Sequence, residues 1–148
     1  MSDTDMTSIA ESPMQLRFLV FHVHRVSARL RYLTMPYGQL CMPTPLPKLA
    51  ELMDERPQFD KLAIHPGTWL KQACEQMQLP LDRLSVEPGF RRWIDTPGQP
   101  TQVYILRVSG PSPFAAPEGM RWIELPDCFS MLPIERLLMQ SVYQYLLE

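Results

Sequence analysis

Three cysteines, Cys41, Cys74 and Cys128, are all that the 148 residues contain, and they are widely separated with no C-x-x-C spacing. Three thiols cannot all pair with one another, so a disulfide scaffold is excluded and a reducing, cytoplasmic setting is the expectation. No apolar stretch approaches the roughly 20 residues that a bilayer span requires. The first dozen residues carry Asp3, Asp5 and Glu11 and have neither a basic n-region nor an apolar core, so nothing there reads as a secretory signal. A net charge of -2 leaves no excess of basic residues, which argues against a polybasic nucleic-acid binder, and no DNA binding is expected. The patterns G-x-S-x-G, G-x-G-x-x-G and the Walker box are all missing, so hydrolase-elbow, Rossmann and P-loop chemistry lack support.

Proline is what the chain has in plenty. Its 16 prolines are roughly twice the usual share, which predicts short helices and many loops. Apolar residues at 45% and charged residues at 20% are a globular composition, and the length suits one domain with its own core. Residues 1–12 read as a flexible tail and 13–148 as that domain.

Gln15 to His24 has apolar residues on both parities (Leu16, Phe18, Val20 against Leu19, Phe21, Val23), which suits a strand covered on both faces. A turn over 25–28 and a second strand over 29–35 would complete a hairpin. Pro36 to Pro47 must be loop or extended chain. Leu49, Leu52 and Met53 predict a short helix over 48–55, and Trp69, Leu70, Ala73, Cys74 and Met77 predict a second, from 66 or 67 to about 78. Two short extended pieces, or an edge strand with a bulge, follow within 84–94, then a turn over 96–100. Thr101 to Val108 alternates most cleanly, with Val103, Ile105 and Arg107 against Tyr104, Leu106 and Val108. A loop over 110–117, an extended 120–123 and a terminal helix over 133–147 finish the chain. The helix has Pro133 in its first turn and Ile134, Leu137, Leu138, Val142, Tyr145 and Leu146 as its buried stripe. Strands interleaved with helices indicate an α+β domain with a mixed sheet between helices.

Several constellations could carry chemistry. His22 and His24 share a strand parity but have no third ligand at a recognisable spacing, so they read as polar residues on a partly open strand face. Glu51, Asp54 and Glu55, at i, i+3 and i+4 of the expected helix, have metal-binding spacing, although a solvated acidic face is the preferred reading. Between Ser12 and Ala50 there is no acidic residue, while Arg17, Arg25, Arg29, Arg31 and Lys48 give that segment +5. Arg91-Arg92-Trp93 adds a second basic cluster beside an aromatic. A basic hairpin facing a proline-rich loop with Tyr37 has the means to hold a nucleotide or phosphorylated ligand. Arg29, Arg31 and Arg91 would take phosphate, and Tyr37 or a tryptophan would stack on a base.

The order of these parts resembles the Nudix fold, an α/β/α sandwich with a mixed central sheet. Leu30 to Tyr37 resembles the family's second strand, and Leu40 to Pro45 its proline-containing approach to the signature box. Lys71 to Leu79, KQACEQMQL, resembles the second half of that box, R-E-U-x-E-E-x-G-U, where U is a bulky aliphatic residue. Glu118 to Leu125, EGMRWIEL, resembles the strand before the last helix. In the family, the resemblance implies, three box carboxylates on one helical face hold divalent cations that neutralise a pyrophosphate and activate water. At those positions this chain has Gln72, Glu75 and Gln76, with Lys71 for the arginine and Gln78 for the glycine. An insertion of about a dozen residues also separates the helix from the approach loop. The resemblance thus implies an impaired hydrolase that keeps Glu75 as its one catalytic and metal-binding carboxylate and serves as a nucleotide binder or interaction module. An active hydrolase using Mg²⁺ or Mn²⁺, with help from Glu51, Asp54, Glu55 or Glu118, is the alternative. A purely structural subunit is a third, and the leucine-rich terminal helix (Leu137, Leu138, Leu146, Leu147) leaves room for a homodimer or a protein partner.

Overall fold

A computed structural model describes residues 15–36, 38–53, 66–96, 99–124 and 131–148. Among these residues seven strands form one mixed sheet: β1 (Gln15–Val23), β2 (Leu30–Thr34), β3 (Glu51–Leu52), β4 (Leu84–Val86), β5 (Arg92–Thr96), β6 (Gln99–Val108) and β7 (Arg121–Ile123). Their spatial order is β3-β5-β6-β1-β2-β7, with β4 also paired to β6. Helix α1 (Pro66–Gln76) lies on one face and α2 (Pro133–Leu147) on the other.

The two-sided apolar pattern of β1 is explained by this layering. Phe18 and Val20 pack with Leu70, Ala73 and Cys74 of α1. Leu19 and Phe21 pack with Ile134, Leu138, Met139 and Val142 of α2. All four β1 residues are at 0% exposure, each burial contributing about 1.5–3 kcal/mol of transfer free energy. β1 runs parallel to β6, Phe18 beside Tyr104 and Phe21 beside Arg107. It is antiparallel to β2, with which it forms the expected hairpin. The Pro88-Gly89 turn splits the 84–94 segment, so that β4 and β5 pair with successive lengths of the same edge of β6.

Two expectations are revised. Residues 51 and 52 form an edge strand, Glu51 opposite Asp95 and Leu52 opposite Ile94, where a helix over 48–55 was read. Pairing with β5 outweighs the weak helical preference of a proline-flanked segment. Asp54 and Glu55 lie outside the described residues, as do Cys128 and the 1–12 tail. In α2, Leu137 is 45% exposed, and the buried face instead includes Glu135, Met139 and Ser141. Glu135, at 1% exposure, reaches inward, and its Oε2 accepts hydrogen bonds from the backbone N–H groups of Leu40 (2.7 Å) and Cys41 (3.0 Å). Burial raises its pKa, against the opposing effect of those two hydrogen bonds. Tyr32 also ties the sheet to α2, its hydroxyl donating to the Met139 carbonyl at 3.1 Å. Among the described residues no helix is long and apolar enough to cross a membrane.

Candidate functional site

Helix α1 presents Lys71, Gln72, Glu75 and Gln76 to solvent and buries Leu70, Ala73 and Cys74. Trp69 packs edge-on against the Phe18 ring, centroids 6.0 Å apart. The helix ends in a Schellman motif: Leu79 N–H donates to the Cys74 carbonyl (2.9 Å) and Gln78 N–H to that of Glu75 (3.1 Å). Gln78 adopts φ +60°, the left-handed conformation that favours glycine. In the resemblance this is the position at which the box pattern has its glycine.

In this register, the three positions that would face a divalent cation hold Gln72, Glu75 and Gln76. The Glu75 carboxylate makes no hydrogen bond or ion pair among the described residues, and no group of three His, Cys, Asp or Glu side chains gathers around a common point there. One carboxylate and two amides do not fit a hard cation that takes six or more oxygen ligands. Of the other carboxylates considered, Glu118 is exposed in the turn before β7 and Glu51 sits on the edge strand.

The basic residues are dispersed. Arg29 forms a two-pronged ion pair with Glu124, Nε to Oε1 at 2.9 Å and Nη2 to Oε2 at 2.7 Å, which occupies its guanidinium. Arg31 is half-buried opposite His22 on the α1 side of the sheet. Arg91 immediately precedes β5, three strands from β2 and about four residues along, which puts it roughly 20 Å from Arg31 by strand spacing and rise. Tyr37 lies outside the described residues. The histidines separate as well. His22 is 1% exposed, its Nε2 3.0 Å from the Gly110 carbonyl and its Nδ1 without a partner. His24 lies beyond the strand, and its Nδ1 accepts from the backbone N–H groups of Val26 and Ser27 in the hairpin turn. The Gly110 loop is gripped by Arg83, whose Nη2 donates to the carbonyls of Ser109 (2.6 Å) and Ser112 (2.5 Å).

Strand alternation gathers a group that the sequence reading did not assemble. Of the Arg91-Arg92 pair, Arg92 turns to the α2 side over the Phe90 ring, 5.1 Å from its centroid. Arg91 and Trp93 occupy the opposite parity, the α1 side. Trp93 lies directly across from Gln102, and one step past the last β5–β6 pair Arg91 comes beside Tyr104. Burial raises the Tyr104 phenol's pKa, and the Arg91 charge partly offsets the rise. Trp93 Nε1 is closed to solvent and has no acceptor. On the same face, Asp95 and Glu51 stand opposite each other, both exposed. Period-two alternation places Trp93 and Asp95 on one side of β5, but only the ladder reveals their neighbours. On the α2 side, an open groove of about 600 Å³ lies between residues 48–52 and the start of α2, lined by Leu49, Leu52, Pro133 and Leu137.

No protein-family model matches the sequence, and no curated protein matches it. Among solved structures, the chain is similar to the crystal structure of an Ap4A hydrolase from C. elegans. The TM-score is 0.50 at 13% identity, over 90% of this chain and 98% of that one. This chain has a Nudix-like fold, a mixed α/β architecture with a seven-stranded sheet and two helices among the described residues.

Proposed function

We propose that the chain is a Nudix-like domain with impaired hydrolytic capacity that binds a nucleotide or related phosphate ligand. The observation carrying this reading is the end of α1. Gln78 in the left-handed conformation supports the box register, and that register puts amides at two of three carboxylate positions. Glu75 remains as the one box carboxylate. Without its neighbours, a divalent cation loses most of the anionic oxygen that would hold it against water, and the Lewis-acid assistance to phosphoanhydride cleavage goes with it. Arg91, Trp93 and Tyr104 supply cationic and aromatic groups suited to ligand binding.

The fold neighbour, an Ap4A hydrolase, favours one second reading: an active hydrolase that completes its metal site from outside α1. A single experiment separates the two. Dinucleoside polyphosphates and nucleoside diphosphate derivatives are incubated with the protein and Mg²⁺ or Mn²⁺, wild type against Glu75→Gln. The binder reading expects no metal-dependent turnover, and a rise in melting temperature with nucleotide in the absence of metal. Turnover that Glu75→Gln abolishes would establish the hydrolase instead.

A further inference from the structure

The α1-side face of β3, β5 and β6 is chemically graded along the strands. Arg91 stands at one end, Trp93, Gln102 and Tyr104 in the middle, and the facing Asp95 and Glu51 at the other. Arg91 has no ion-pair partner among the described residues, and neither carboxylate has one either. Arg91 and Asp95 are four residues apart on one strand, about 13 Å at the usual rise.

We infer that this strip is a binding site for a nucleoside monophosphate unit whose base carries an amino group, with phosphate at Arg91 and the amino edge toward Asp95 and Glu51. The inference rests on the nucleotide-binding reading above and gives it a location, an orientation and a base preference. Each part follows from the chemistry of the strip. Arg91 is its one cation, and a guanidinium matches the planar fork of phosphate oxygens. Trp93 and Tyr104 are the aromatic surfaces in reach of a base, and stacking is tolerant of which base is stacked. Selection therefore comes from the edges. Ionised carboxylates only accept hydrogen bonds, so Asp95 and Glu51 favour an exocyclic amine and disfavour a ring carbonyl pointing at them.

Titration calorimetry of the full chain in EDTA tests this with four probes: adenosine 5′-phosphate, inosine 5′-phosphate, adenosine and ribose 5-phosphate. Adenosine 5′-phosphate is expected to bind about tenfold more tightly than inosine 5′-phosphate, one well-made hydrogen bond's worth. Arg91→Ala should bring adenosine 5′-phosphate down to the level of adenosine without changing adenosine itself. Asp95→Asn combined with Glu51→Gln should erase the preference for the amino base. Trp93→Ala, which removes the larger stacking face, should weaken every probe with a base and leave ribose 5-phosphate unaffected. Circular dichroism melts confirm that each variant is folded. If adenosine 5′-phosphate binds and all the folded variants bind it as the wild type does, the strip is overturned and the nucleotide-binder reading stands. If neither nucleotide, adenosine nor ribose 5-phosphate binds the wild type, that reading falls and the strip with it.

Discussion

Removing the Glu135 carboxylate should loosen the junction between α2 and the 40–41 segment, which its Oε2 holds through two backbone N–H groups at 2.7 and 3.0 Å. In Glu135→Ala both amides lose their acceptor in a region closed to water, at about 1–3 kcal/mol each. Part of this is returned because a carboxylate no longer has to be desolvated, as its upward-shifted pKa indicates. A net loss of about 2–4 kcal/mol remains, roughly 5–15 °C in melting temperature for a chain of this size. Glu135→Gln separates the acceptor from the charge, because its amide oxygen can still receive a hydrogen bond and does not titrate. A carboxyl whose pKa is raised by folding holds its proton more tightly in the folded state than in the unfolded chain. Its contribution is fully present below the unfolded value and is lost as pH rises through the folded one. Melting temperatures of wild type and Glu135→Gln, measured from pH 4 upward, should therefore show the wild type losing ground to the variant across that interval and holding constant above it. A wild type that instead gains on Glu135→Gln with rising pH, or an alanine variant as stable as wild type, would refute this account of the junction.

Gln78→Gly should stabilise the fold by about 0.5–1 kcal/mol, because the left-handed backbone at φ +60° carries a strain that glycine lacks, only partly offset by the added freedom of the unfolded chain; urea denaturation reads this, and a destabilised variant would contradict the Schellman geometry. Arg29 is largely exposed, with 57% of its side chain accessible, so Arg29→Ala should cost under about 1 kcal/mol, and a double-mutant cycle with Glu124→Gln should place most of that in their coupling. Burial pushes the Cys74 thiol up to about 11 and the fully buried Cys41 higher still. In a Cys128→Ser background neither should react with a thiol reagent at pH 8 until the protein unfolds, and prompt labelling of the native chain would show that these side chains are accessible.

Much of the scaffold was legible because its signals are local. The hairpin of β1 and β2, the alternation of β6 and the limits of α2 follow from periodicity and from Pro133 at a helix start. The edge strand at Glu51 and Leu52 was not legible, since two residues carry no period and their conformation is set by β5, some forty positions later. Leu137 and Glu135 show the same limit on α2. Hydropathy alone buries the leucine and exposes the acid, whereas the need of two backbone amides for an acceptor turns the helix the other way. At the site, the sequence drew attention to arginines by type, and the structure separated them by neighbour: Arg29 is neutralised by Glu124, Arg31 lies beside His22, and Arg91 joins an aromatic group. Trp93 was noted only as an aromatic beside arginines, because its link to Tyr104 and Asp95 exists only once three strands are aligned.

The parallel pairing of β1 with β6 also constrains how the molecule is made. Gln15 lies beside Thr101, and Phe21 beside Arg107, so β1 cannot find its central neighbour until the residues between the two strands have been translated. In that interval Phe18, Leu19, Val20 and Phe21 have β2 and the Met42 bridge beside them and α1 to cover one face, while the face that α2 will cover stays bare. Nascent chains halted before Val108 should therefore bind chaperones and resist compaction, and release of the β6 segment should be the moment at which protease resistance first appears.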